Sequence, residues 1–467
     1  MKRLHIISLL LTGLIVLNIP SNAQILKKIK KTAKDIKDAA NAVKGATNEA
    51  KQTVKSYNEL KKSWKKDTSA NIRYQQVPDY RNREEVAISK KQQLSIENGT
   101  FVNLSWQPVT KFDNQIFPSF IIGWASYKGE KTEDMGSSLG FYINTGLSNV
   151  VLKWEIESMD KSFFNIDSGY IRYDDMKYNN TFMPRISWDP KALTKHKSSA
   201  PLNVYFRLID PNTGNKVEKL VNVNLRSIND CIVCHKQTKY NYMFASYVNE
   251  EHPEIDKILR QMLDTKMIDK VLGYQRGENY ADLQVAALWR VLHDRGFQYS
   301  SITDNSGFND GSCNSVFSQT VRTFENCLST NQANCVDGTV FMASILKRIG
   351  IRTILVNVPG HCFLGYFMDD TTQNNIHFLE TTWLSRDNYI KNPKLAIQKK
   401  QTVITTNISK ELNLSELNKA YYIQFNEAAE RGAQNIIDNV KQHGAASIKF
   451  IIVENERKYI KPIPYYE

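Results

Sequence analysis

After its first two dozen residues the chain has no apolar run approaching the roughly 20 residues a membrane span requires, so no later segment is expected to cross a bilayer. It has no internal repeat, which removes stacked-repeat architectures. Cysteine is sparse, with six in 467 residues, a count that in an exported protein would usually suggest disulfides. No cysteine stands at the cleavage point expected after Ala23, which argues against a lipoprotein anchor. Aromatics are few in the most basic stretch, and this disfavours nucleic acid as a partner.

Near the centre the chain reads Gln332-Ala-Asn334-Cys335-Val-Asp-Gly-Thr and runs through an apolar stretch to Gly350. Pro359-Gly360-His361 and His377-Phe-Leu-Glu380-Thr-Thr-Trp383 follow. The spacing of Val336, Val340, Phe341, Ile345, Leu346 and Ile349 predicts a helix that Gly350 stops, with Cys335 in its first turn. There the positive end of the helix dipole and unpaired N–H groups favour a reactive thiolate and could receive an oxyanion. Gln332, Asn334 and Gln319 are side-chain candidates for the same oxyanion. Thr353–Val358 is β-branched and predicts a strand ending at Pro359-Gly360. His361 opens a second strand, and a third, expected over Ile376–Thr382, carries Glu380. Antiparallel neighbours would bring His361 and Glu380 together. A thiol, an imidazole and an orienting carboxylate in this chain order suit acyl transfer on glutamine or peptide carbonyls.

The Cys, His, acid order and the Lys347-Arg348-Ile349-Gly350-Ile351 ending of the helix resemble the transglutaminase-like superfamily of papain-like enzymes, over roughly Tyr247 to Trp383. The resemblance implies a papain-like α+β catalytic domain, a Cys335 thioester and a protein or peptide substrate, with no cofactor, in a protease, deamidase or acyl transferase. Glu380 stands where that family more usually has Asp, and its side chain is one methylene longer.

Lys2 and Arg3, the apolar Ile6–Leu17 and Ser21-Asn22-Ala23 predict a signal peptide over 1–23, and hence a periplasmic, cell-surface or secreted protein. Residues 25–66 carry thirteen lysines against four acids, a net +9 of the chain's +13. Their small and apolar positions step by four and three, so 24–66 is expected to be a basic amphipathic helix suited to anionic membranes or envelope polymers.

From 93 to 225 the pattern has period two, as in Val150, Leu152, Trp154 and Ile156, and predicts a β-sandwich. The catalytic domain is expected over 240–467, with its core at 247–383. Val316–Leu328 reads as a helix, which would hold Cys313 and Cys327 too far apart to bridge. Cys231-Ile-Val-Cys234-His235 has the spacing of a c-type haem attachment, or of a zinc site; a local disulfide or free thiols are the other readings. Beside the cysteine enzyme stand two further readings: an envelope-binding protein with a degenerate cleft, and a haem or redox protein built on that segment.

Overall fold

The computed structural model describes residues 86, 88, 91–125, 137–301, 313–370, 376–386, 390–399 and 414–466. The expected signal peptide over 1–23 and basic helix over 24–66 lie outside the described residues. The chain is mixed α and β, and its described residues divide into two compact units. Residues 86–247, 313–321 and 457–466 form a β-rich unit, while 248–301 and 322–456 form a mixed unit. Residues 240–247, 313–321 and 457–466, expected within the catalytic stretch, thus group with the strands. Among the described residues no helix is long and apolar enough to cross a membrane.

In the β-rich unit, β1 (Leu104–Thr110), β3 (Leu139–Thr145) and β6 (Lys177–Phe182) form one antiparallel sheet. A second sheet takes the order β2 (Gln115–Ile116), β8 (Lys216–Leu225), β7 (Ala200–Ile209), β4 (Val150–Ser158) and β5 (Ile166–Tyr173). Alternation along β4 buries Val150, Leu152, Trp154 and Ile156 and leaves Lys153, Glu155 and Glu157 partly exposed. The two sheets meet through aromatic rings: Phe141 of β3 lies 5.6 Å from Phe206 of β7, and Trp154 of β4 lies 5.8 Å from Phe182 of β6. A smaller sheet pairs β9 (Asp230–His235) with β10 (Phe317–Thr320). The stretch Val316–Leu328, expected to be one helix, instead begins as a strand, because pairing with β9 outweighs local helical spacing. Helix α3 (Phe324–Thr330), in the mixed unit, begins only afterwards.

In the mixed unit, α1 (Glu254–Asp264) and α2 (Glu278–Asp294) precede α3, and α4 runs from Cys335 to Arg348. Then come β11 (Thr353–Val358), β12 (His361–Phe367) and β13 (Ile376–Leu379), the long helix α5 (Glu416–His443) and β14 (Lys449–Ile452). The antiparallel sheet has the order β13-β12-β11-β14. Val358 pairs with His361 across the two-residue turn Pro359-Gly360, where Gly360 has φ +72°, a conformation that suits glycine. One sheet face presents Ile354, Val356, Phe363 and Phe378 to Ala433, Ile436 and Val440 of α5. The helix comes very close at Gly432, where an added Cβ would lie 2.8 Å from the backbone joining Phe378 to Leu379. The sheet, α4 and α5 together position the site.

Candidate active site

Asn334 caps α4. Its side-chain oxygen accepts from Asp337 N at 2.8 Å, and Asp337 Oδ2 accepts from Asn334 N at 2.9 Å, a reciprocal capping box. Asp337 is fully buried and also accepts from Arg322 N at 2.8 Å and from the Arg322 guanidinium at 2.6 Å. Burial pushes its carboxyl above the usual range, against the pull of the Asn334 and Arg322 donors. This clamp sets the first turn, so that Cys335 opens the helix with its thiol partly exposed. In the first turn the Cys335 and Val336 N–H groups have no carbonyl within the helix to bond. Asp337 N is taken by the cap, and Gly338 N donates to Asn334 O.

His361 begins β12, with its Nε2 2.7 Å from Glu380 Oε2. Cys335 lies close enough to the same ring to favour its charged form. Glu380 is 2% exposed and all its acceptor directions are used. Oε1 takes Thr382 N at 3.1 Å and the Thr382 hydroxyl at 2.7 Å, while Oε2 takes Asn435 Nδ2 at 2.5 Å beside His361. Burial alone would raise the Glu380 carboxyl, but bonding and charge from His361, with the Thr382 bonds, hold it below the usual range. Burial likewise opposes charge on His361, yet Cys335 and Glu380 together push the imidazole up to about 10.

Glu380 is not the strand residue that the sequence predicts. The strand stops at Leu379, and Glu380 caps a short 3₁₀ turn, Thr381–Trp383, through the bond from Thr382 N. Of the candidate residues, Cys335, His361 and Glu380 converge. Asn334 stands beside them with its oxygen in the cap. Gln332 lies on a short strand paired in parallel with Gln298. Gln319 belongs to the β-rich unit, where its amide donates to Thr320 O at 3.0 Å. Cys362 is fully buried, within bonding reach of Thr339 on α4, and burial pushes its thiol well up. Its neighbour His361 shares the face of Phe363, whose ring centroid is 5.8 Å away. Sequence reasoning missed Asn435, Thr382 and Arg322. It also missed Tyr299, whose hydroxyl is pushed up by burial and by the charges of Cys335 and Glu380.

The Cys231-Ile-Val-Cys234-His235 segment is strand β9, and Cys234 is bonded to Cys313, 79 residues away. A local disulfide is excluded by geometry, since three strand residues span about 10 Å, beyond disulfide reach. Cys231 remains a thiol, fully buried and pushed well up by that burial. His235 Nε2 lies 2.9 Å from Asp113 Oδ2. Covalent haem attachment uses both thiols of such a segment, and here Cys234 is bonded to Cys313. Among the described residues no three His, Cys, Asp or Glu side chains are grouped to hold a metal ion.

No family model and no curated protein matches the chain. Among solved structures, the chain is similar to a crystal structure of "a putative protease from Parabacteroides distasonis ATCC 8503", at 10% identity. The match covers 53% of this chain and 67% of that one with a TM-score of 0.16, too low to carry an argument.

Proposed function

We propose that this protein is an exported cysteine hydrolase of the transglutaminase-like kind, acting on peptide or glutamine carbonyls. The meeting of Cys335, His361 and Glu380 carries the reading: a partly exposed thiol within reach of an imidazole that a buried, fully bonded carboxylate keeps oriented and charged. The Cys335 thiolate attacks the carbonyl carbon, and the oxyanion is received by the Cys335 and Val336 N–H groups, with Gln332 as a side-chain candidate. His361 gives its proton to the departing amine, leaving a thioester. Water then attacks that thioester, losing its proton to His361, and the C–S bond breaks to return the Cys335 thiolate as the acid product departs. Glu380 stays ionised throughout and stabilises the imidazolium.

The Cys234–Cys313 disulfide supports an oxidising compartment, in keeping with export. The two sheets of the β-rich unit are read as a sandwich that presents substrate or targets the protein, and residues 25–66 as a contact to anionic membrane or envelope. An activated ester of a short peptide tests the chemistry. Intact-mass and peptide mapping should find one acyl group on Cys335, absent from Cys335→Ala. Steady hydrolysis by Cys335→Ala would refute the reading.

A further inference from the structure

A hollow in the mixed unit lies along the first two turns of α4. It is walled by Leu292, Phe297, Phe341, Met342 and Leu384, with Tyr299, Asn334, Gly338 and Thr381 also lining it. At about 100° per residue, Cys335 sits on α4 between Thr339, which reaches Cys362 on the sheet, and Gly338 and Met342, which line the hollow. Thr381 is the residue after Glu380. The hollow thus borders the thiol on the side away from β12. Tyr299, 48% exposed, marks the side open to solvent.

Two observations point to an occupant. The Thr381 hydroxyl is buried and has no hydrogen-bond partner, and a buried hydroxyl left unsatisfied is unfavourable unless something fills its bonding capacity. The space is also small: about 20 Å³, against the roughly 10–15 Å³ needed to admit a single water. An enclosed space of that size matches a methyl group.

We infer that this hollow selects the substrate by accepting a small aliphatic side chain, of alanine size, next to the scissile carbonyl, while Thr381 Oγ1 accepts a hydrogen bond from the adjoining substrate amide. The inference rests on the proposed Cys335 chemistry and adds the class of residue it acts beside. Gly338 keeps the space open. A Cβ there would come within 3.2 Å of Thr381 Oγ1 and 3.3 Å of its Cβ.

The test uses the full chain and a set of peptidyl chloromethyl ketones that differ only in the residue bearing the reactive group: glycine, alanine, leucine or phenylalanine. In each, the Cys335 sulfur displaces chloride. The second-order rate of inactivation is measured and the adduct located by mass spectrometry. The alanine probe should react on the order of 10-fold or more faster than the leucine and phenylalanine probes, the scale expected when a side chain outgrows an apolar pocket. Gly338→Ala should remove the preference for alanine over glycine. Leu384→Ala should narrow the gap between alanine and leucine by widening the hollow, and is the second arm should Gly338→Ala not fold. Thr381→Val should slow the alanine probe about 10-fold relative to iodoacetamide alkylation of Cys335 in the same variant. Equal rates across the set, with Cys335 labelled by every probe, would overturn the pocket while leaving the nucleophile standing. No Cys335 adduct with any probe would overturn both.

Discussion

Asn435 and His361 approach one and the same oxygen, Glu380 Oε2, at 2.5 and 2.7 Å. The amide comes from α5, 55 residues beyond the carboxylate, and reaches it only because α5 lies against β13 at Gly432. The orientation of the imidazole therefore depends on a helix packed on the far side of the carboxylate.

Asn435→Ala should leave the fold intact and lower turnover about tenfold, with Glu380 freed to turn away from His361. Gly432→Val should do more, since its side chain would push α5 off the Phe378–Leu379 backbone. Comparison of turnover and substrate affinity checks both: the loss should fall on turnover, and a loss confined to affinity would contradict this role for Asn435.

Glu380→Gln keeps size and one acceptor but removes the charge, so turnover should fall by orders of magnitude with little change in substrate affinity. Near-normal turnover would assign the orienting role elsewhere. Asp337 is a poor substitute, since its oxygens already accept from Asn334 and Arg322.

The pH dependence has a definite sign. His361 is raised from 6.5 to about 10, so its contribution to stability is complete below 6.5 and disappears as pH rises through about 10. Glu380 is depressed, so its contribution is present above 4.5 and disappears as pH falls through its lowered value. Imidazole NMR should find His361 still protonated at neutral pH in the wild type, and titrating at lower pH in Glu380→Gln. An unchanged midpoint would contradict the pairing.

Chain order and local spacing were enough to bring out the nucleophile helix, the Pro359-Gly360 turn and the strands bearing His361, because each is encoded within one or two turns of chain. Asn435 was not legible in the same way, since nothing near it in sequence marks its partner. A weak signal existed: Ala428, Gly432 and Asn435 recur by four and three along the buried stripe of α5, and a polar residue there calls for a partner. The Cys234–Cys313 pairing escaped for a related reason, since strand register and not spacing decides which thiols meet. Glu380 was found by its motif but misplaced by one element, because a cap and a strand end look alike in sequence.

A second buried carboxylate ties the same elements together. Asp282 of α2 accepts from the Tyr366 hydroxyl of β12 at 2.5 Å and the Tyr422 hydroxyl of α5 at 3.3 Å, and lies 3.0 Å from His377 Nδ1 of β13. Burial raises its carboxyl, but His377 and the hydroxyls outweigh this and hold it low. Asp282→Ala should cost about 3 kcal/mol in urea unfolding, the scale for breaking a buried charged network. That cost should shrink as pH falls below the ordinary 3.8, where the unfolded chain's carboxylate takes up a proton, and vanish as pH passes the lowered value of the folded carboxylate.

Deleting residues 25–66 should leave hydrolysis of a small soluble ester unchanged. Retention on anionic vesicles should weaken, and for the full chain it should fall as salt rises, since exposed charges are screened beyond about 10 Å at 0.1 M. Retention that ignores both salt and the deletion would assign the contact to the β-rich unit.

The claim that Cys335 is a nucleophile held ready by His361 is tested most directly by site-resolved alkylation at neutral pH. Iodoacetamide should modify Cys335 far faster than the buried Cys231, Cys327 and Cys362, and His361→Ala should slow Cys335 at least tenfold in a protein that remains folded. A Cys335 rate no different from that of an ordinary peptide thiol, and indifferent to the loss of His361, would contradict the account.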